Sequence, residues 1–92
     1  MSVKTYVLDG RAILSLNDFY DELTRVLPLP GYFGRNLDAL ADSLLADVKG
    51  PLEIVWEHSS SSKEAMKEDY PRIAAVLKRV ARERPDCKVR FR

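Results

Sequence analysis

The sequence holds one cysteine and one histidine, and each scarcity removes a class of function. Cys87 alone cannot close an internal disulfide, so nothing in the chain calls for an oxidising compartment. His58 stands without a partnered serine or cysteine nucleophile. The serines at 59–62 form no nucleophile-elbow pattern and read as linker and helix cap. Metal binding needs clustered His, Cys or carboxylates, and no such cluster is present; two aspartates alone supply too few oxygens for a hard cation. "GYFG" is not GxGxxG and follows no strand, so there is no phosphate-cradling glycine loop. Long apolar runs are missing too. The start, "MSVKTYVLDG", has no signal-peptide core, and no stretch approaches the roughly 18 residues that span a bilayer. The expectation is a cytosolic, soluble protein that is no enzyme and needs no cofactor or metal.

What is present is enough for one core. The 92 residues are 46% hydrophobic and 32% charged, and they read as a single domain, 1–92. The formal net charge is +1, so overall charge draws the chain to neither nucleic acid nor membrane. The charge is uneven, however. Residues 31–62 carry Asp38, Asp42, Asp47, Glu53 and Glu57 against Arg35 and Lys49, whereas the last third is rich in lysine and arginine.

Val3–Leu8 reads as a strand closed by "DG". A helix over 16–27 follows, with Ser15 as N-cap, and Pro28 and Pro30 stop it. Asn36 suits the N-cap of a second helix over 37–48. Leu37, Leu40, Ala41, Leu44, Leu45 and Val48 form one stripe, with Asp38 and Asp42 on its rim. After Gly50-Pro51, "LEIVW" (52–56) reads as a second strand. A weak third helix covers 59–67, capped by a serine, and a fourth runs from Pro71 to Arg84. Cys87, Val89 and Phe91 alternate with Lys88, Arg90 and Arg92 as in a half-buried strand. The order predicts an α/β fold of two layers: a three-stranded parallel sheet, order 1-2-3, with about four helices on the face of Cys87, Val89 and Phe91. The opposite face is expected to be largely open, with Glu53 neutralising some of its cations.

Two functional readings remain open on the residues alone. Arg79, Arg82, Arg84, Lys88, Arg90 and Arg92 offer charge for nucleic acid, but no aromatic side chains are interleaved there for stacking. The other reading is an acidic protein-binding surface. Tyr32 and Phe33 sit in a Gly-flanked loop ahead of a helix that carries two carboxylates, and aromatics are typical interface anchors. A merely solvated face explains Asp38 and Asp42 about as well.

"LPLPGYFGRNLDALADSLLADVKGPLEIVW", residues 27–56, resembles the barstar family, intracellular inhibitors of barnase-type ribonucleases. The most specific part is Y-F-G-x-N-L-D-A-L-x-D, and the likeness thins after Lys63. The resemblance implies a protein that forms a 1:1 complex with a small microbial ribonuclease and protects a cell from it. It places Asp42 in the enzyme's phosphate pocket and Asp38 against neighbouring cations. It places Tyr32, Phe33 and Gly34 at the mouth of the cleft, with Asn36 holding the helix start. It also draws Ala41, Leu45 and Arg79 into the partner-binding surface, where this chain departs from the family's best-known member. That member has tryptophan, threonine and, by ungapped counting, glutamate at these three places, and a further tryptophan at the place of Asp47. The departures leave room for a different ribonuclease, or for a barstar-fold binding module whose partner is not a ribonuclease.

Overall fold

A computed structural model describes residues 2–92. The chain runs β1 (Lys4–Asp9), a 3-10 turn (Gly10–Ala12), α1 (Leu16–Val26), α2 (Leu37–Ala46), β2 (Leu52–Glu57), α3 (Ser59–Met66), α4 (Asp69–Glu83) and β3 (Cys87–Phe91). The three strands pair in parallel in the order β1-β2-β3, as the sequence predicts. Alternation sorts their side chains. Leu8, Leu52, Ile54, Trp56 and Cys87 are buried in the core, and Val89 and Phe91 pack against it. Thr5, Val7, Lys88 and Arg90 are exposed on the other face. Glu53 meets Arg90 there at 3.6 Å, and Glu57 meets Arg92 at 3.8 Å, so the expected neutralisation across the sheet is present. Val55, between Val7 and Arg90 in the register, is nonetheless only 4% exposed.

Trp56 anchors the core. It is fully buried and lies 5.3 Å from Phe19 and 5.2 Å from Tyr70, ring centre to ring centre. Its Nε1–H donates to Ser62 Oγ at 3.1 Å, and the Ser62 hydroxyl donates to the Gly10 carbonyl at 2.9 Å. A buried indole N–H needs such a partner, because leaving it unpaired costs about 1–3 kcal/mol. Gly10 must be glycine: a Cβ there would run into the backbone oxygens of Glu57 and His58, which cannot move aside as a side chain could. A second tie is Glu22, 7% exposed on α1. It accepts the Asp9 N–H at 2.9 Å and a two-pronged contact from Arg25 at 2.8 and 2.9 Å. The Arg25 hydrogen bonds hold the Glu22 carboxyl below its usual range despite burial.

Several element ends differ from the sequence expectation. Ser15 caps α1 as expected, accepting from Asp18 N–H at 3.1 Å, but Leu27 is the C-cap rather than the last helical residue. The α2 helix stops at Ala46, where Asp47 and Val48 both direct their N–H groups at Ser43 O. Val48 stays buried, so the apolar stripe outlasts the helix that carries it. No serine caps α3. His58 occupies the cap with φ 52° and makes no side-chain bond, while Ser59 N–H and Oγ both bond Arg92 O and tie down the C-terminus. The α4 helix starts at Asp69, two residues early. Pro71 therefore sits third in the helix, still within the first turn, where its missing N–H costs no helical bond.

Candidate functional site

The loop before α2 and the outer face of α2 form the candidate site. Asn36 builds the junction, as its N-cap role predicts. Its Oδ1 accepts the Ala39 N–H at 2.8 Å, and its Nδ2 donates to Gly34 O at 3.3 Å. A Cβ on Gly34 would lie 3.3 Å from Asn36 Nδ2 and 3.4 Å from Ala39 Cβ, so glycine gives the cap its room. From there, α2 buries Leu40, Ala41 and Leu44. Asp38 and Asp42 are thereby left exposed, one turn apart.

Neither carboxylate has an ion-pair or hydrogen-bond partner among the described residues. Asp9, Asp21, Asp69 and Asp86 each pair with an arginine, but among the described residues no lysine or arginine pairs with Asp38 or Asp42. Two like charges four apart on a helix destabilise it by about 0.2–0.5 kcal/mol. Asp38, in the first turn, recovers some of that from the helix dipole; Asp42 does not.

Tyr32, in the loop ahead of α2, is 80% exposed. Phe33 turns inward: its ring packs 5.9 Å from that of Tyr20, and its N–H bonds Pro30 O at 3.0 Å. The loop thus has one aromatic as a foot and one as a free surface. Arg35 locks it. The backbone of Arg35 is left-handed (φ 52°). Its Nη2 donates to Asn17 Oδ1 at 2.8 Å, to Asp21 Oδ1 at 2.8 Å and to Asn17 O at 3.3 Å, and its guanidinium lies 5.7 Å from the Tyr20 ring centre. These contacts fasten the loop to α1. Sequence reasoning treats Arg35 only as a charge, since its partners lie 14 and 18 residues upstream with no local pattern to reveal them.

The other residues drawn into the surface divide. Ala41 is 2% exposed and gives a partner almost no area, because a methyl group on the buried stripe cannot reach out as a larger side chain would. Leu45 is half-buried against the core. Arg79, on α4, is about half-exposed and pairs with Glu83 at 3.0 Å, which offsets part of its charge. The basic tail is largely committed within the chain. Arg79, Arg90 and Arg92 pair with glutamates, and Arg84 bonds both Asp86 at 2.7 Å and the Leu44 carbonyl at 2.7 Å near the end of α2. Of the six cations considered for nucleic acid, Arg82 and Lys88 keep no carboxylate partner among the described residues.

The remaining candidates for chemistry are structural. Burial pushes the Cys87 thiol up, toward its neutral, unreactive form. His58 is an exposed strand-end residue. Among the described residues no group of three or more His, Cys, Asp or Glu is placed to hold a metal ion, and no helix is long and apolar enough to cross a membrane.

Comparison with known proteins agrees with this architecture. The chain is 38% identical over 56 residues to a Bacillus subtilis (strain 168) protein named "Putative ribonuclease inhibitor YrdF", a match covering 61% of this chain and 62% of that protein. The chain thus spans less than two thirds of the length of that curated relative. A family model described as "Barstar (barnase inhibitor)" matches residues 3–92, from just before β1 to the last residue. The chain belongs to the barstar family.

Proposed function

We propose that this protein is a ribonuclease inhibitor that fills the cationic active site of a small microbial ribonuclease with the loop 31–36 and the outer face of α2. The observation that carries the reading is the pair Asp38 and Asp42, exposed, adjacent and free of internal partners among the described residues. Family membership and the relative named as a ribonuclease inhibitor support it. A ribonuclease must grip a polyanion, so its cleft is lined with cations. Carboxylates set where phosphates would lie make charge-assisted hydrogen bonds with them. Asp42 enters the phosphate pocket and Asp38 faces its rim. Tyr32 packs at the mouth, on the footing of Phe33 and Gly34, and Asn36 and Arg35 hold the loop ready. No bond is made or broken; RNA is excluded from a 1:1 complex in the cytoplasm. Complementary charge also speeds the encounter, and salt weakens that part.

The test is inhibition of a panel of small microbial ribonucleases at low and moderate salt. Tight inhibition of at least one member, with slower association at higher salt, is the expected result. The loss of area at Ala41 and the cationic Arg79 favour a second reading, a binding module with a non-ribonuclease partner. Failure against every ribonuclease, with capture of another protein that Asp42→Ala abolishes, would select it.

A further inference from the structure

A groove of about 640 Å³ opens between α3 and α4, and none of the loop 31–36 or α2 residues lines it. Four cations line it: Lys63 and Lys67 from α3 and its end, Lys78 and Arg82 from α4. No carboxylate lines it. None of the four has a carboxylate partner among the described residues, although Arg72 and Arg79 on the same helix do. Lys78 and Arg82 lie at i,i+4 within α4, an arrangement of like charges that costs stability rather than adding it. Helix-dipole attraction accounts for cations near the two helix ends. It does not account for Lys78 in mid-helix, nor for the gathering of all four around one hollow. The Lys78 ammonium lies 5.6 Å from the Phe91 ring centre.

The rest of the lining is of another kind. Ala74, Ala75, Pro71 and the half-buried Tyr70 supply its apolar lining. The volume is that of a small-molecule site, not the broad face of roughly 800 Å² that a protein partner needs. Four cations, unpaired among the described residues, beside apolar and aromatic lining match a ligand with clustered phosphates and a planar ring.

We propose that the α3–α4 groove binds a nucleoside polyphosphate, with the phosphates between Lys63, Lys67, Lys78 and Arg82 and the base on Ala74, Ala75 and Tyr70. Because the ligand binds only the folded chain, it is expected to raise the melting temperature.

Calorimetric titration of the full chain with ATP, GTP, inorganic triphosphate, adenosine and a ten-nucleotide single-stranded RNA tests this. The expected result is saturable 1:1 binding of ATP or GTP, with inorganic triphosphate weaker and adenosine weaker still. Losing charge-assisted bonds in Lys78→Ala/Arg82→Ala should weaken nucleotide binding about tenfold or more. Lys4→Ala/Lys49→Ala, which alters cations outside the groove, should change it less than about twofold. Inorganic triphosphate binding as tightly as ATP would remove the role of the apolar lining and overturn the proposal. So would RNA binding more tightly than either nucleotide, unchanged affinity in the Lys78/Arg82 variant, or no binding at millimolar nucleotide. Because no ribonuclease enters the assay, its outcome is separate from that of the inhibitor reading.

Discussion

Ser62→Ala removes one oxygen atom from the centre of this protein, and its cost can be worked out from two bonds. Ser62 is fully buried; its Oγ accepts from Trp56 Nε1–H at 3.1 Å and donates to Gly10 O at 2.9 Å. Alanine fits the space without strain, so the change isolates the polar contribution. Stranding the indole N–H costs about 1–3 kcal/mol, and the lost bond to the Gly10 carbonyl adds about 1 kcal/mol. The sum is about 2–4 kcal/mol, a large share of the 5–15 kcal/mol that holds a typical domain together. Urea unfolding followed by fluorescence suits the question, since Trp56 is the one tryptophan and is buried. With a slope of about 1–3 kcal/mol per molar, the midpoint should fall by roughly 0.7–4 M. Ser61→Ala, exposed one residue away, should stay within about 0.5 kcal/mol. In a Trp56→Phe background the donor is gone, and Ser62→Ala should cost at least about 1 kcal/mol less than in the native chain. A Ser62→Ala protein as stable as the native one, or an equal cost in both backgrounds, would refute the buried relay.

Two further expectations concern the loop and the acid limb. Arg35→Ala should destabilise the protein by about 1–2 kcal/mol, discounted for the exposure of its ion pair with Asp21, and should weaken inhibition further because the loop must then be ordered on binding. Arg35→Gly restores an easy left-handed backbone and should recover about 1 kcal/mol of the stability but not the inhibition; full inhibition by both variants would argue against the lock. Glu22 is held below its usual range by Arg25, so its contribution is present above the unfolded carboxylate value of about 4.3 and is lost as pH falls through the lower folded value. Glu22→Gln should therefore lower stability at neutral pH and flatten its fall below about pH 4; parallel pH profiles for variant and native protein would contradict this.

The parts of the fold that the sequence announces are those with a period or a local cap. The alternation of Cys87, Val89 and Phe91 gives the face of β3, the stripe from Leu37 to Leu44 gives the inner side of α2, and Asn36 and Ser15 cap at short range. Asp38 and Asp42 are legible because burying that stripe leaves its rim outside. The misplaced boundaries arise where tertiary bonds outweigh local signals. Ser59 is drawn to the C-terminal carbonyl instead of capping α3, and Val48 is buried by the core after its helix has ended. Long-range ties leave no trace in spacing at all: Arg35 to Asn17 and Asp21, Asp9 to Glu22, and Ser62 to Gly10. The same holds for the α3–α4 groove, whose four cations are scattered over 20 residues of charged sequence and meet only when the helices pack.

The most direct test of the central claim is the inhibition constant of Asp42→Ala against a ribonuclease that the native chain blocks, with the urea midpoint measured alongside. The account expects at least about a 30-fold loss of inhibition, equivalent to about 2 kcal/mol, at an unchanged midpoint. Undiminished inhibition by a folded Asp42→Ala protein would contradict it.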